Sequence, residues 1–311
     1  MTESAQKCPN CHLAAPRGAL FCSSCGAAIA ATAPAPPQTE RSIPLPVRAT
    51  LQGPCTVLYA GDEELDVRQV GRAIASRTGR PLSDVTRMLR ASKGFLATAL
   101  DTPSAISLAE QIERDLQAPV VVLPDSAVIP LPSAMRMRRV AINALGIRCD
   151  AYSWDSTEPM EISWDGIFLI SCGRLDVQEV VEFRDESPAG GTDMIGRRLP
   201  HLVTTSRHEY VLDLVLRDPW RRLRLDQNTV AFSLTELRRD RDQSLGTLHR
   251  SVMHLDRYAV GVPANRGLAL LVSGASEAAV QSLTFQSKRD FDSYTHWLIQ
   301  LVRFGFPIAE Q

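Results

Sequence analysis

The sequence predicts a multidomain α+β protein. Three observations carry that expectation: two C-x-x-C pairs near the start, an Ala/Pro-rich stretch behind them, and a switch from helical periodicity to β-type alternation near residue 130. The expected divisions are a cysteine-bearing module over residues 1–28, a flexible Ala/Pro linker over 29–50, a small β-α-α-β-α-β two-layer domain over 51–127, and a β-rich domain over 132–306 closed by amphipathic helices. A chain of 311 residues exceeds one ordinary domain, so several folded units are the natural reading.

Lysine and arginine number 34 against 35 aspartate and glutamate, a formal net charge of -1. That balance argues against a protein held on nucleic acid or acidic lipid by bulk charge, while leaving room for a local patch. No transmembrane segment is read, because no stretch reaches the roughly 18 uncharged apolar residues that cross a bilayer. The opening "MTESAQKCPN" lacks a basic start followed by an apolar run, so no secretory signal is read and the expected location is cytoplasmic.

Cys8 and Cys11 form one pair, in "CPNCH", and Cys22 and Cys25 the other, in "CSSCG". In such a knuckle two thiolates converge on one tetrahedral ion while backbone N–H groups point at the sulfurs. The intervening "HLAAPRGALF" is long enough to bring the second knuckle opposite the first. A disulfide frame suits secreted domains and fits poorly with the missing signal. A redox C-x-x-C needs a strand before it and a helix after it, inside a larger α/β domain. One structural zinc ion on Cys8, Cys11, Cys22 and Cys25 is therefore expected, with no position open for water or substrate. So short a segment buries little, so the metal should supply most of its folding energy. The pattern resembles the short zinc ribbons at the ends of many bacterial and archaeal proteins, whose knuckles read C-P-x-C-G. Gly26 keeps that glycine, whereas His12 stands in its place in the first knuckle. The proline-rich spacer that follows favours extended chain, which suits a tethered interaction element.

From Cys55 the pattern becomes regular. "CTVLYA" reads as a buried strand, and Asp66 with Gln69 marks the start of a helix whose Val67, Val70 and Ile74 share a face. "SDVTRMLRAS" reads as a second helix with Val85, Met88 and Leu89 inward, ended by Gly94. "FLATAL" follows as a strand, and Thr102 and Pro103 take the N-cap and first helical place of "SAISLAEQIERDLQ". "VVVLP" closes the unit. This order resembles the C-terminal domain of the ribosomal stalk protein and the related Clp protease adaptor fold. "GRPLSDVTRMLRASKG" stands where the stalk domain has its glycine-leucine helix start and second helix. The stalk domain's lysine-rich face and the adaptor's residue-capturing positions are not evident. The resemblance therefore implies a fold and, at most, a binding role.

Beyond "IPLPSAMRMRRV" strands take over, in "VAINALGIRCDAYSW", "MEISWDGIFLISCG", "EYVLDLVL" and "WRRLRLDQNTVAFSL", the last with a turn expected at Gln227-Asn228. "RDESPAGGTDMIGRRLPH" reads as an exposed loop. Two helices close the chain. One carries Leu245, Leu248, Val252 and Leu255 on a stripe, and the other Phe291, Tyr294, Leu298 and Leu301, with Asp290 and Asp292 in its first turn and Arg303 in its last. Strands closed by an amphipathic helix, with "ALGIRCDAY" and "MEISWDGIFLI" as early strands, resemble a pleckstrin-homology-like barrel.

No catalytic constellation is read. His249 and His254 lie five apart, off the spacing of a helical metal pair, and His201, His208 and His296 lack a triad pattern. Cys55, Cys149 and Cys172 read as buried thiols. Asp62, Glu63, Glu64 and Asp66 read as a solvated helix start, and Trp297 as core. "WRRLRL" is the most suggestive patch. Arg222 and Arg224 would face opposite Arg221 there, either meeting an anionic partner or guarding a solvated edge strand. The leading expectation is a non-enzymatic cytoplasmic adaptor or regulatory protein acting through protein-protein interaction. The alternatives are a nucleic-acid-associated transcription or translation factor, and an enzyme whose site is assembled from distant residues.

Overall fold

A computed structural model of the chain describes residues 6–7, 14–15, 51–61, 65–151, 159–183, 201–226, 231–232, 252–273, 280–306 and 308. The chain divides into two compact units, Met1–Ser42 and Ile43–Gln311. In the first, strand β1 (Gln6–Lys7) pairs antiparallel with β2 (Ala14–Ala15), Lys7 lying opposite Ala14. Cys8 and Cys11 fall in the sequence between these strands. All four expected zinc ligands and the 29–50 linker lie outside the described residues.

The second unit begins with β3 (Cys55–Tyr59), α1 (Val67–Thr78), α2 (Leu82–Ser92), β4 (Phe95–Leu100), α3 (Thr102–Leu116) and β5 (Val120–Pro124). Every residue of β3 is buried, as expected of the central strand of a three-stranded antiparallel sheet ordered β4-β3-β5. Helix α1 starts where Asp66 accepts hydrogen bonds from the N–H groups of Arg68 and Gln69, and it buries Val70 and Ile74. Helix α3 starts one residue earlier than its Thr-Pro signal suggests. The Asp101 carboxylate takes the cap by accepting from Ser104 N–H at 3.0 Å, while the Thr102 hydroxyl donates to the Gly53 carbonyl.

Alternation along β3 divides its side chains between two faces. Cys55, Val57 and Tyr59 pack with the helices through Ile74, Leu89, Leu108 and Ile112. Leu58 points the other way and, with Phe95 of β4 and Leu123 of β5, meets Phe304, which caps the C-terminus of the last described helix. The expected two-layer arrangement therefore gains a third layer, because a sheet apolar on both faces needs both covered.

The remaining strands are β6 (Ala134–Asn143), β7 (Gly146–Ala151), β8 (Met160–Ser163), β9 (Ile167–Phe183), β10 (His201–Leu216), β11 (Arg221–Asp226), β12 (Ala231–Phe232) and β13 (Thr284–Phe285). They form one sheet in the order β13-β9-β10-β11-β6-β7-β8, with β12 also on β6. Where β11 meets β6 the pairing is parallel. The path ends on two different strands, β13 and β8. The sheet is thus open rather than the barrel that the pleckstrin-homology-like resemblance implied.

Three helical segments cover it: α4 (residues 252–258), α5 (Arg266–Val272) and α6 (Lys288–Arg303). Val252, Leu255 and Leu268 pack on one face of the sheet with Ile170, Leu212 and Leu223, and α6 covers the other through Leu298 and Ile299 against Leu169 and Val215. Leu245, Leu248 and the expected turn at Gln227-Asn228 lie outside the described residues. No described helix is long and apolar enough to cross a membrane.

Candidate functional site

Helix α6 touches both sheets, and a depression opens beside it. Helix α2 ends there unusually. Its C-cap is Lys93, at φ 44°, rather than Gly94. Gly94 follows at φ 102° and is required for a second reason, since a Cβ there would collide with the Trp297 indole. The Lys93 ammonium lies 5.2 Å from the centre of the Phe285 ring, a cation–π contact that offsets the strain of its backbone. Behind it stands an aromatic wall. Trp297 stacks on Tyr59 and donates its indole N–H to the Tyr59 carbonyl at 2.7 Å, while the Tyr294 ring lies 5.6 Å from the Trp297 ring.

Cations and rings together line a cavity of about 610 Å³, with Leu65, Val67 and Leu89 completing its apolar surface. A second cavity of about 880 Å³ runs between α1 and α2, over Arg72, Leu82, Thr86 and Arg87. Arg68 and Arg90 line both, so the two adjoin at these side chains and are taken together as one groove. Arg68 and Arg72 stand four apart on α1, and Arg87 and Arg90 three apart on α2, which sets each pair on one helical face.

Of these arginines Arg87 pairs with Asp84 at 2.7 Å. Arg68 and Arg90 are exposed and have no ion-pair partner among the described residues. Asp66 also lines the groove. Its carboxylate is committed to the α1 N-cap, where the N–H of Gln69, then that of Arg68, holds its pKa below the usual value. Asp62, Glu63 and Glu64 lie outside the described residues. The groove thus offers guanidinium donors along its rim and an apolar, ring-lined pocket at one end. Such a surface has the donors and the apolar wall that a carboxylate or phosphate carrying an apolar group would need.

The "WRRLRL" patch has a different fate. Strand β11 is interior, between β10 and β6, rather than the expected edge. Arg221 faces solvent, but Arg222 and Arg224 are only 3% and 5% exposed. Arg224 grips Asp213 with two hydrogen bonds of 2.7 Å, and Arg222 reaches Asp213 at 3.2 Å and Asp292 of α6 at 2.8 Å. Burial alone would lower the Arg224 pKa. The hydrogen bonds and charge of Asp213, with Asp292, outweigh it and raise the pKa instead. These two arginines therefore lock α6 to the sheet from inside. Asp292, expected in the first turn, lies just past it and serves as their counter-ion, the first-turn acid being Asp290 alone.

Cys55, Cys149 and Cys172 are buried and free. Burial, then the charge of Asp150, pushes the Cys149 thiol up to about 12, and burial raises that of Cys172 still further. His296 packs against Phe95 at 4.8 Å and bonds the Ile129 carbonyl, and His254 stacks on Tyr258. Sequence reasoning missed the groove. The signal was present in residues 65–94, where seven cations stand against two acids while the whole chain is near neutral.

No protein-family model matches the chain, and no curated protein or solved structure matches it as a relative.

Proposed function

We propose that the chain is a non-enzymatic cytoplasmic adaptor or regulatory protein that works through protein–protein contacts. The observation that carries this reading is the groove, a cation-rimmed, ring-ended depression formed by α1, α2 and α6. Its chemistry is that of recognition. Guanidinium groups and aromatic rings hold a partner, and the one acid among the described residues lining the aromatic end, Asp66, is occupied as a helix cap.

A zinc ribbon adds a second contact surface in this reading. One structural ion sits on Cys8, Cys11, Cys22 and Cys25, each supplying a thiolate. The β1–β2 pairing supports the fit, since the strands on either side of Cys8 and Cys11 return on each other as a knuckle requires. The middle domain's resemblance to stalk and Clp adaptor folds is part of the same proposal, supported by the β-α-α-β-α-β order and its antiparallel sheet.

An affinity pull-down from nuclease-treated source-cell extract tests both surfaces. The intact protein is compared with a Cys22→Ser/Cys25→Ser variant and an Arg68→Glu/Arg90→Glu variant. Partners lost with either variant assign them to that surface. Identical lists for all three proteins would overturn the adaptor reading. The row of arginines favours one second reading, a nucleic-acid-associated factor. It predicts partners that vanish on nuclease treatment and binding that weakens steeply with salt.

A further inference from the structure

We infer that the groove is built for an acidic, amphipathic segment of a partner protein, which seats one large apolar side chain in the pocket beside Trp297 and lays its carboxylates along Arg68, Arg72 and Arg90. This rests on the adaptor reading and names the chemistry of the partner.

Charge complementarity is the first argument. Arg68, Arg72 and Arg90 face the groove exposed, and the one described acid within the aromatic-walled cavity is a committed helix cap. Arg68 and Arg90, without an ion-pair partner among the described residues, stand with Arg72 beside low-dielectric walls, and such guanidinium groups attract a segment of opposite sign.

The apolar surface is the second. Leu82 is 43% exposed on the floor between α1 and α2, and Leu65, Val67 and Leu89 line the pocket. Aliphatic floor beneath a charged rim fits the alternating apolar and acidic faces of an amphipathic segment. The eleven residues of α2 make a helix of about 16 Å, room for some three turns of a partner helix.

Ring geometry separates this occupant from single-stranded nucleic acid, which needs free aromatic faces for base stacking. Here Trp297 is stacked on Tyr59 within 7°, and the Phe285 ring carries Lys93. The Tyr294 hydroxyl accepts from the Asn265 side chain, and its ring is tilted against Trp297 and Phe285. The rings form a wall for a side chain rather than a ladder of open platforms.

The test uses the full chain and an array of 15-residue peptides whose acidic content and apolar residues vary independently, with a 15-nucleotide oligothymidine as competitor. Binding should require both acids and at least one aromatic or leucine anchor. Arg68→Gln/Arg90→Gln should weaken it about tenfold or more, and Leu82→Ser by a smaller factor with unchanged salt dependence. Both variants alter exposed helix positions, so unchanged thermal unfolding confirms that they fold. Binding that tracks acid content alone, binding of basic peptides as tight as of acidic ones, oligothymidine displacing the best peptide at equal concentration, or no peptide bound at 1 mM (an order-of-magnitude ceiling, about 4 kcal/mol) would each overturn the inference. If such a failure accompanies a pull-down partner lost with Arg68→Glu/Arg90→Glu, the docking function stands and the partner has another chemistry.

Discussion

The indole N–H of Trp297 donates to the backbone carbonyl of Tyr59 at 2.7 Å, and the two rings lie 6.4 Å apart within 7° of parallel. This contact joins the central strand of the small sheet to the helix that also covers the large one. It makes α6 a shared element of the second unit and gives the groove its aromatic wall.

Replacing Trp297 by phenylalanine keeps a ring but removes the donor. The Tyr59 carbonyl then loses this bond, and stability should fall by about 1–3 kcal/mol. Urea unfolding read by circular dichroism checks it. A midpoint equal to the parent's would mean that water replaces the indole.

Asp213 is fully buried and bonded to both Arg222 and Arg224. Asp213→Ala leaves two buried guanidinium groups with the partly exposed Asp292 alone, and a loss of about 3–5 kcal/mol is expected. The triple variant Asp213→Leu/Arg222→Met/Arg224→Met should recover much of that loss, because no buried guanidinium remains and Asp292, partly exposed, keeps access to water. Thermal unfolding of the two proteins side by side measures the difference.

His296 has its pKa lowered, first by burial, against the opposing effect of its bond to the Ile129 carbonyl and with a further lowering by Arg222. The unfolded chain therefore binds a proton more readily than the folded one. Stability from this residue is present above the ordinary histidine pKa of about 6.5 and is lost as pH falls through the folded value. Urea midpoints at pH 8, 7, 6 and 5 should fall more steeply for the parent than for His296→Gln. Parallel curves would show that His296 titrates alike in both states.

Cysteine labelling separates the buried thiols from the proposed ribbon. At pH 8 a thiol titrating near 12 is about one part in ten thousand thiolate, so Cys149 should resist alkylation, as should the still less acidic Cys172. Cys8, Cys11, Cys22 and Cys25 should resist it too until a chelator removes the metal, and then react together. Mass spectrometry of peptides reads each site. Rapid labelling of those four before chelation would argue against the tetrathiolate ion, as would elemental analysis finding much less than about one zinc per chain.

Much of the local structure was legible. The Asp66 cap, the stripes Val70–Ile74 and Phe291–Leu298, and the strand at Cys55 are written within a few residues of themselves, in periods and capping atoms that need no distant partner. The α3 start slipped by one residue because Asp101 and Thr102 both suit a cap, and only the Gly53 carbonyl, far along the chain, claims the threonine.

The sequence by itself determined the element order from β3 to β5, the helices' inward faces and a clear candidate set of metal ligands in its paired cysteines. Tertiary structure alone decided that β11 lies inside a sheet, that Arg222 and Arg224 answer Asp213 and Asp292 rather than a partner, and that Trp297 is both core and pocket wall. The reason is physical. Helical period and capping act over one or two turns, whereas strand order, ion pairing and a groove between helices depend on which residues meet after tens or hundreds of positions of chain have folded back.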